Sequence, residues 1–296
     1  MSAQPRLSLG LPVYNGMAAG LEKLIGSLLA SNFADFELLI SDNASTDTSP
    51  AIIEAFVRSD RRVRSMSFAS NQGVAANFNR VLTAATAPLF KWCAVGDLVD
   101  EGYLSTMVDR MERTDDLVFA HSRYDFFDGV ARHAGGHNRR RVFDEAIVKG
   151  VAAASPTARV RANLNHFGYG GHIHGVLRRP LLLALGGLDD HAVSDRVLTS
   201  EMLAVGKGYF SPDILWSCYT PAEEHDYADY GLRDGATLPA IEKELLRRGS
   251  WKRVVPRRSG LLLASYLATR YGGDILDYYR SRILRDFNQR ALDRQV

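Results

Sequence analysis

Two stretches in the first fifty residues decide the fold class: residues 7–15 read LSLGLPVYN, and residues 36–47 read FELLISDNASTD. Each begins with an apolar run of strand length and ends in polar residues. Between them, residues 20–31 carry apolar side chains at helical spacing (Leu21, Leu24, Ile25 and Leu28). A strand, a helix and a second strand joined by short connections predict a parallel pair of strands covered by the helix.

The same alternation continues along the first half of the chain. The sequence predicts a helix over 49–57, a strand over 62–68, a helix over 74–85 and a strand over 88–95. We therefore expect an α/β protein whose mainly parallel sheet has helices on both faces. The second half is less regular: we expect a helix over 102–113, strands over 117–122 and 173–177, a surface excursion over 125–143, a helix over 194–205 and helices after Leu238.

Polar residues follow each of the four predicted strands. They are Tyr14-Asn15, Asp42-Asn43, Asn71-Gln72-Gly73 and Gly96-Asp97. In open parallel sheets, ligands bind beyond the carboxyl ends of the strands. Four polar clusters at four strand ends therefore predict a binding crevice along that edge.

Composition excludes several other classes of protein. The chain has 296 residues, of which 46% are hydrophobic and 24% charged, and a net charge of +2, so we expect a globular protein and no nucleic-acid partner. Its two cysteines, Cys93 and Cys218, form no zinc or disulfide pattern. With no basic and apolar leader before the first strand, we expect a cytoplasmic protein.

The motifs together resemble family 2 glycosyltransferases. That family has a strand ending in P-x-Y/F-N, a second ending in D-D/N-x-S-x-D, a later N-x-G and a D-x-D-like segment, matched here by residues 12–15, 42–47, 71–73 and 95–97. The resemblance implies a Rossmann-like GT-A fold over 1–235, with a nucleotide-sugar-binding half (1–125) and an acceptor half (126–235). A helical C-terminal extension would follow over 236–296.

The resemblance also implies a donor pocket for a nucleotide sugar. Its candidate residues are Pro12, Tyr14, Asn15, Asp42, Asn43, Asn71, Gly73, Asn77 and Asp97. It assigns Asp42 to the imide N–H of a uracil ring, although a turn or helix-capping carboxylate would give the same pattern. Tyr14 either stacks on the nucleobase or packs into the core. Gly73 opens a helix whose N-terminus suits a phosphate.

The chain departs from the family at Val95-Gly96-Asp97, where two or three acidic residues are usual. Only Asp97 can bind Mg²⁺ or Mn²⁺ here, with nucleotide diphosphate and water oxygens completing the ion's coordination. His225 is a second candidate metal ligand, with a surface loop histidine as the alternative.

Two other features are open to structural or functional interpretation. Lys91 lies within the fourth strand, where we expect it to point outward at an edge. His172 and His174 would share one face of a strand, either as half-exposed residues or as part of a polar pocket near the acceptor.

The family places an acidic general base at the start of a helix in the second half. Asp195 fits best, ahead of Asp189 and Asp190, although Asp195 could simply cap the helix. Inversion at the anomeric carbon follows from the resemblance. An alternative is a catalytically degenerate sugar-nucleotide-binding protein of the same fold, whereas a dehydrogenase is disfavoured because no G-x-G-x-x-G follows the first strand.

The acceptor could be a glycan, a lipid-linked sugar or a protein. Basic residues near the C-terminus (Arg247, Arg248, Lys252, Arg253, Arg257 and Arg258) could rest on the inner face of a membrane, or could be solvated helix charges.

Overall fold

The computed structural model describes residues 4–16, 18–128, 139–141, 145–165, 171–190 and 194–220. The extension expected over 236–296, the basic residues from Arg247 to Arg258 and the candidate ligand His225 lie outside these ranges. Within them, no helix has the length and apolar character needed to cross a membrane.

A single sheet of nine strands organises the described chain. In chain order the strands are β1 (Leu7–Val13), β2 (Phe36–Asp42), β3 (Val63–Ser67), β4 (Leu89–Trp92), β5 (Asp97–Val99), β6 (Leu117–Asp128), β7 (Arg139–Arg141), β8 (Val176–Arg178) and β9 (Lys207–Thr220). Their spatial order is β3-β2-β1-β4-β8-β6-β9-β5, with β7 paired to β6.

Eight α-helices accompany the strands in the described chain. They are α1 (Ala18–Leu29), α2 (Ser49–Ser59), α3 (Val74–Ala84), α4 (Tyr103–Glu112), α5 (Glu145–Val151), α6 (Pro156–Asn165), α7 (Arg179–Leu185) and α8 (Ser194–Val205). Every residue of β1 and β2 is buried, as expected for central strands covered on both faces.

The first four strands confirm the prediction of a parallel sheet. β1 pairs in parallel with β2 and β4, and β2 pairs in parallel with β3. The register sets Val13 opposite Asp42, so the polar residues that follow β1 and β2 emerge side by side. β8 then runs antiparallel between β4 and β6, and β5 runs antiparallel to β9.

Two predictions for the second half are wrong. Instead of a strand over 173–177, Gly171–His174 forms a 3₁₀ turn and only Val176–Arg178 is a strand. Gly175 lies between them, where a Cβ atom would stand 2.7 Å from the Ala120 carbonyl oxygen. In addition, the surface excursion expected from Asp125 begins within β6, which continues through Asp128 and pairs with β9. Short-range patterns miss such non-local pairing.

Candidate functional site

The loops that follow β1, β2 and β3 are joined by a network of side-chain amides. The Asn43 backbone N–H donates to the Val13 carbonyl at 2.8 Å, and Asn43 Nδ2 donates to Asn71 Oδ1 at 2.9 Å. Asn43 Oδ1 in turn accepts the Gln72 N–H at 2.8 Å, and Asn71 Oδ1 accepts the Gly73 N–H at 2.8 Å. Three of the four predicted polar clusters thus meet at one edge of the sheet.

A pocket of about 410 Å³ opens at this edge. Its lining residues are Pro12, Val13, Tyr14, Asn43, Asn71, Gly73, Val74, Asn77 and Phe78. Tyr14 is 50% exposed, so its ring faces the opening and the alternative of a core-facing aromatic is wrong. Six of the nine candidate donor residues line this pocket. Sequence reasoning passed over Val74 and Phe78, which give it an apolar side.

The N-terminus of α3 borders the pocket. Gly73 precedes the helix at φ 85°, a left-handed conformation that glycine adopts without strain. Asn77, in the first turn, is 3% exposed and donates through Nδ2 to the Val13 carbonyl at 3.1 Å, which ties α3 to the end of β1. Free backbone N–H groups at a helix N-terminus attract phosphate oxygens.

Asp42 and Asn15 lie beside the pocket without lining it. Asp42 is buried, and its Oδ1 accepts the Ser45 N–H at 3.1 Å. Asn15 has φ 47°, and its Oδ1 accepts the Thr46 N–H at 2.9 Å. Both side chains therefore shape the loop after β2, and Asp47 accepts the N–H of Ser49 at the start of α2.

Asp97 lies at the start of β5 and is 1% exposed. Its Oδ2 accepts the Ala94 N–H at 3.0 Å, while its Oδ1 is buried with no hydrogen-bond partner among the described residues. A buried carboxylate oxygen without a partner is unfavourable unless a cation or donor satisfies it. Asp97 therefore fits a cation, although the part of the chain described holds no cluster of three or more ligating side chains.

The backbone explains why the usual acidic residues are missing before Asp97. Gly96 has φ 99°, a conformation that strains any residue with a side chain. Val95 lies beside the start of α1, where its methyl groups would lie 3.1 Å from a Cβ at Gly16 and 3.4 Å from one at Gly20.

The prediction that Lys91 points outward is wrong. Its side chain is completely buried, and its ammonium donates to the His174 carbonyl and, at 3.4 Å, to the Trp92 carbonyl. The rings of Tyr103 and Trp216 lie 5.2 Å and 5.9 Å from Nζ. Hydrogen bonds to carbonyls and cation–π contacts offset part of the cost of burying this charge.

His172 and His174 lie on the 3₁₀ turn, not on one face of a strand. His172 is 3% exposed, contrary to the half-exposed alternative, and packs edge-on against Phe119 and Phe210. Burial lowers its pKa to about 4.

His174 is partly exposed, with Nδ1 3.3 Å from the Trp92 carbonyl. Burial also lowers the pKa of His174, while the carboxylates of Asp97 and Asp195 act in the opposite direction.

Asp195 lies in the first turn of α8. Burial raises its pKa above the ordinary value, against the lowering effects of Arg196 and His174. A raised pKa brings a carboxylate closer to the range of an effective general base. Asp189 lies close to the same helix end, because its backbone N–H donates to Ser194 Oγ at 2.6 Å.

Solved structures share this architecture. The mannosyltransferase PcManGT from Pyrobaculum calidifontis, in complex with GDP-Man and Mn²⁺, superposes with a TM-score of 0.56 at 16% identity, covering 97% of this chain and 81% of its own. TarS from S. aureus, in complex with UDP-GlcNAc, gives 0.58 at 13% identity, covering 82% and 66%. These likenesses establish the GT-A fold predicted from the sequence.

Curated relatives match over shorter stretches. An uncharacterized glycosyltransferase of Haemophilus influenzae is 32% identical over 124 residues, which is 42% of this chain and 49% of the relative. A GalNAc(5)-diNAcBac-PP-undecaprenol β-1,3-glucosyltransferase of Campylobacter jejuni is 28% identical over 107 residues, 36% and 34% of the two chains. The chain thus spans less than half the length of these relatives. The model of glycosyl transferase family 2 matches residues 8–179, and the chain belongs to that family.

Proposed function

We propose that this protein transfers a sugar from a nucleoside diphosphate donor, preferably a UDP-sugar, to an acceptor hydroxyl with inversion at the anomeric carbon. The observation that carries the proposal is the pocket at the ends of β1 and β2, bordered by the N-terminus of α3. Family membership and the nucleotide sugars bound by PcManGT and TarS support the same chemistry.

The nucleoside occupies the pocket beside Tyr14. The exposed ring offers a stacking face, and Pro12 and Phe78 supply apolar walls. Asp42 accepts the imide N–H of uracil after a small opening of the loop that Asn15 and Ser45 tie down. The amides of Asn43, Asn71 and Asn77 hold the strand ends in place around the ribose, and Gly73 lets the backbone approach closely.

The diphosphate extends toward Asp97. Backbone N–H groups at the start of α3 would lie on one side of this path, and Asp97 Oδ1, which has no hydrogen-bond partner among the described residues, would lie at its end. Asp97 would hold Mg²⁺ or Mn²⁺, with diphosphate and water oxygens as the other ligands. Such an ion stabilises negative charge on the leaving diphosphate. His225 stays a proposed ligand from the sequence alone.

Asp195 acts as the general base. The desolvation that raises its pKa makes its carboxylate a better proton acceptor than an exposed aspartate. It takes the proton of the acceptor hydroxyl while that oxygen attacks the anomeric carbon opposite the diphosphate. The bond to the diphosphate breaks as the new glycosidic bond forms, which inverts the configuration.

A catalytically degenerate nucleotide-sugar-binding protein is the second candidate. The observation that favours it is the single acidic residue of the cation motif, since Gly96 and Val95 provide no ligands. The two candidates share the donor pocket and differ in turnover.

The donor pocket is tested by calorimetry with UDP and GDP, in buffer with Mn²⁺. Asp42→Ala should weaken UDP binding by about 1.5–3 kcal/mol, the range for a hydrogen bond to a charged group. Asp47→Ala is the matched control, because this nearby carboxylate accepts the Ser49 N–H and has no proposed ligand contact. Unchanged UDP affinity in Asp42→Ala would remove Asp42 from the site.

The cation is tested by repeating the titrations in EDTA. Wild type should bind the donor more weakly without Mn²⁺, whereas Asp97→Asn should bind it equally in both buffers. Equal wild-type affinity in the two buffers refutes the cation's role. Turnover of a bound UDP-sugar to UDP then separates the enzyme from the degenerate binder.

We place the protein in the cytoplasm, with contact at the inner membrane face through the basic residues from Arg247 to Arg258. The sequence alone supports this membrane contact, because clustered Lys and Arg side chains attract anionic lipid headgroups. Co-sedimentation with vesicles containing phosphatidylglycerol tests this, and binding equal to that of neutral vesicles contradicts it.

A further inference from the structure

His174 occupies the junction between the proposed donor and acceptor sides of the site. The end of β4 and the turn after it contact both His174 and Asp97: the Trp92 carbonyl faces His174 Nδ1 at 3.3 Å, and the Ala94 N–H donates to Asp97 Oδ2 at 3.0 Å. Helix α8, which carries Asp195, packs against the 3₁₀ turn that carries His174, and the Asp195 carboxylate acts to raise the pKa of His174. The histidine therefore lies within the electrostatic reach of both carboxylates.

The position of His174 is fixed from several directions. Its carbonyl accepts hydrogen bonds from the buried Lys91 ammonium and, at 3.4 Å, from the Tyr103 hydroxyl. Its ring stacks on Trp216 with centroids 6.1 Å apart and planes inclined by 15°. An imidazole held by its backbone, one ring nitrogen and one ring face has little freedom to turn.

This arrangement determines what the second ring nitrogen can do. Because a carbonyl only accepts, Nδ1 must carry the hydrogen that points to Trp92, and Nε2 of the neutral ring is left as an acceptor. Nε2 has no hydrogen-bond partner among the described residues and is not fully buried. Burial and the charge of Lys91 lower the pKa of His174, which favours this neutral form.

We propose that His174 Nε2 accepts a hydrogen bond from a hydroxyl group of the transferred sugar, so that His174 helps to select and orient the sugar. This inference rests on the proposed function, which places the sugar between the diphosphate near Asp97 and the base Asp195. A sugar hydroxyl is the donor that this location offers. Lys91 serves as a positioning residue because it holds the turn that carries the ring.

The experiment compares sugar nucleotides with the bare nucleotides, so that it needs no acceptor. Calorimetry measures UDP, UDP-glucose and UDP-GlcNAc, and GDP with GDP-mannose, on wild type, His174→Phe and His174→Gln. Phenylalanine keeps a ring to stack on Trp216 but has no acceptor, whereas glutamine places an amide oxygen near the position of Nε2. His172→Phe is the matched control, since His172 lies on the same turn and packs against Phe119 and Phe210.

In His174→Phe we expect affinity for the preferred sugar nucleotide to fall about three- to tenfold, as for one lost hydrogen bond, with affinity for the bare nucleotide within twofold of wild type. His174→Gln should recover most of the loss, and His172→Phe should show none. Equal effects on sugar nucleotide and bare nucleotide, or the same loss in His172→Phe, overturn the inference and leave the proposed function intact. If wild type binds no nucleotide and no sugar nucleotide, the proposed function fails and the inference fails with it.

Discussion

The buried His172 should make the stability of the protein depend on pH in a defined window. Both of its ring nitrogens are buried without hydrogen-bond partners among the described residues, and its pKa falls from 6.5 to about 4 on folding. Between these two pKa values, His172 is protonated in the unfolded chain but neutral in the folded chain. The free energy of unfolding therefore decreases as pH falls from about 6.5 toward 4. Above pH 7 and below pH 4 this contribution is nearly constant.

The expected size follows from the two pKa values. From pH 7 to pH 5 the contribution of His172 to the free energy of unfolding decreases by about 2 kcal/mol, and the full effect approaches 3–4 kcal/mol below pH 4. Urea unfolding of wild type and His172→Phe at pH 7, 6 and 5 measures it, because the difference between their pH profiles isolates this residue from other titrating groups such as His121. If the two proteins lose the same stability between pH 7 and pH 5, the burial of a neutral His172 is refuted.

Three further predictions concern the base, the sheet and the link to α8. Asp195→Asn should leave UDP binding unchanged and lower turnover roughly a hundredfold or more, with the melting temperature as control; full transfer activity would exclude Asp195 as the base. Gly10→Ala should cost about 1–3 kcal/mol in urea unfolding, because its Cβ would lie 2.6 Å from the Phe90 ring, whereas Gly26→Ala, with nothing within 4 Å, should not destabilise; equal effects would contradict the packing argument. Asn79→Ala should cost about 1–3 kcal/mol by the same assay, since Asn79 bonds both the N–H and the carbonyl of Leu188 at 2.9 and 2.7 Å, and an unchanged unfolding midpoint would contradict it.

The sequence predicted the first half of the fold well because each element there is local. The strands β1, β2 and β4 are short, mostly apolar runs, β3 is a short strand beside β2, and the helices between them have clear apolar periodicity. Helix α8 was also predicted at its observed bounds. The family match over residues 8–179 confirms the resemblance to family 2 glycosyltransferases that the motifs indicated.

The sequence did not predict several buried features that depend on contacts between distant segments. Lys91 lies within an apolar run, and its burial depends on carbonyls and rings contributed by distant segments. The 3₁₀ turn at His172 and His174 is set by the close approach of Gly175 to β6. The long pairing of β6 with β9 is likewise a contact between segments far apart in the chain, which no local pattern encodes.

The backbone at Gly96 has a consequence for protein engineering. Substituting aspartates at positions 95 and 96 would not by itself add ligands to the proposed cation site. An aspartate at 96 would need the positive φ that glycine now provides, and one at 95 would put a charge in place of a partly buried apolar side chain beside Gly16 and Gly20. Stronger ion binding would instead require transplanting the whole turn from Cys93 to Asp97, together with the beginning of α1 on which it packs.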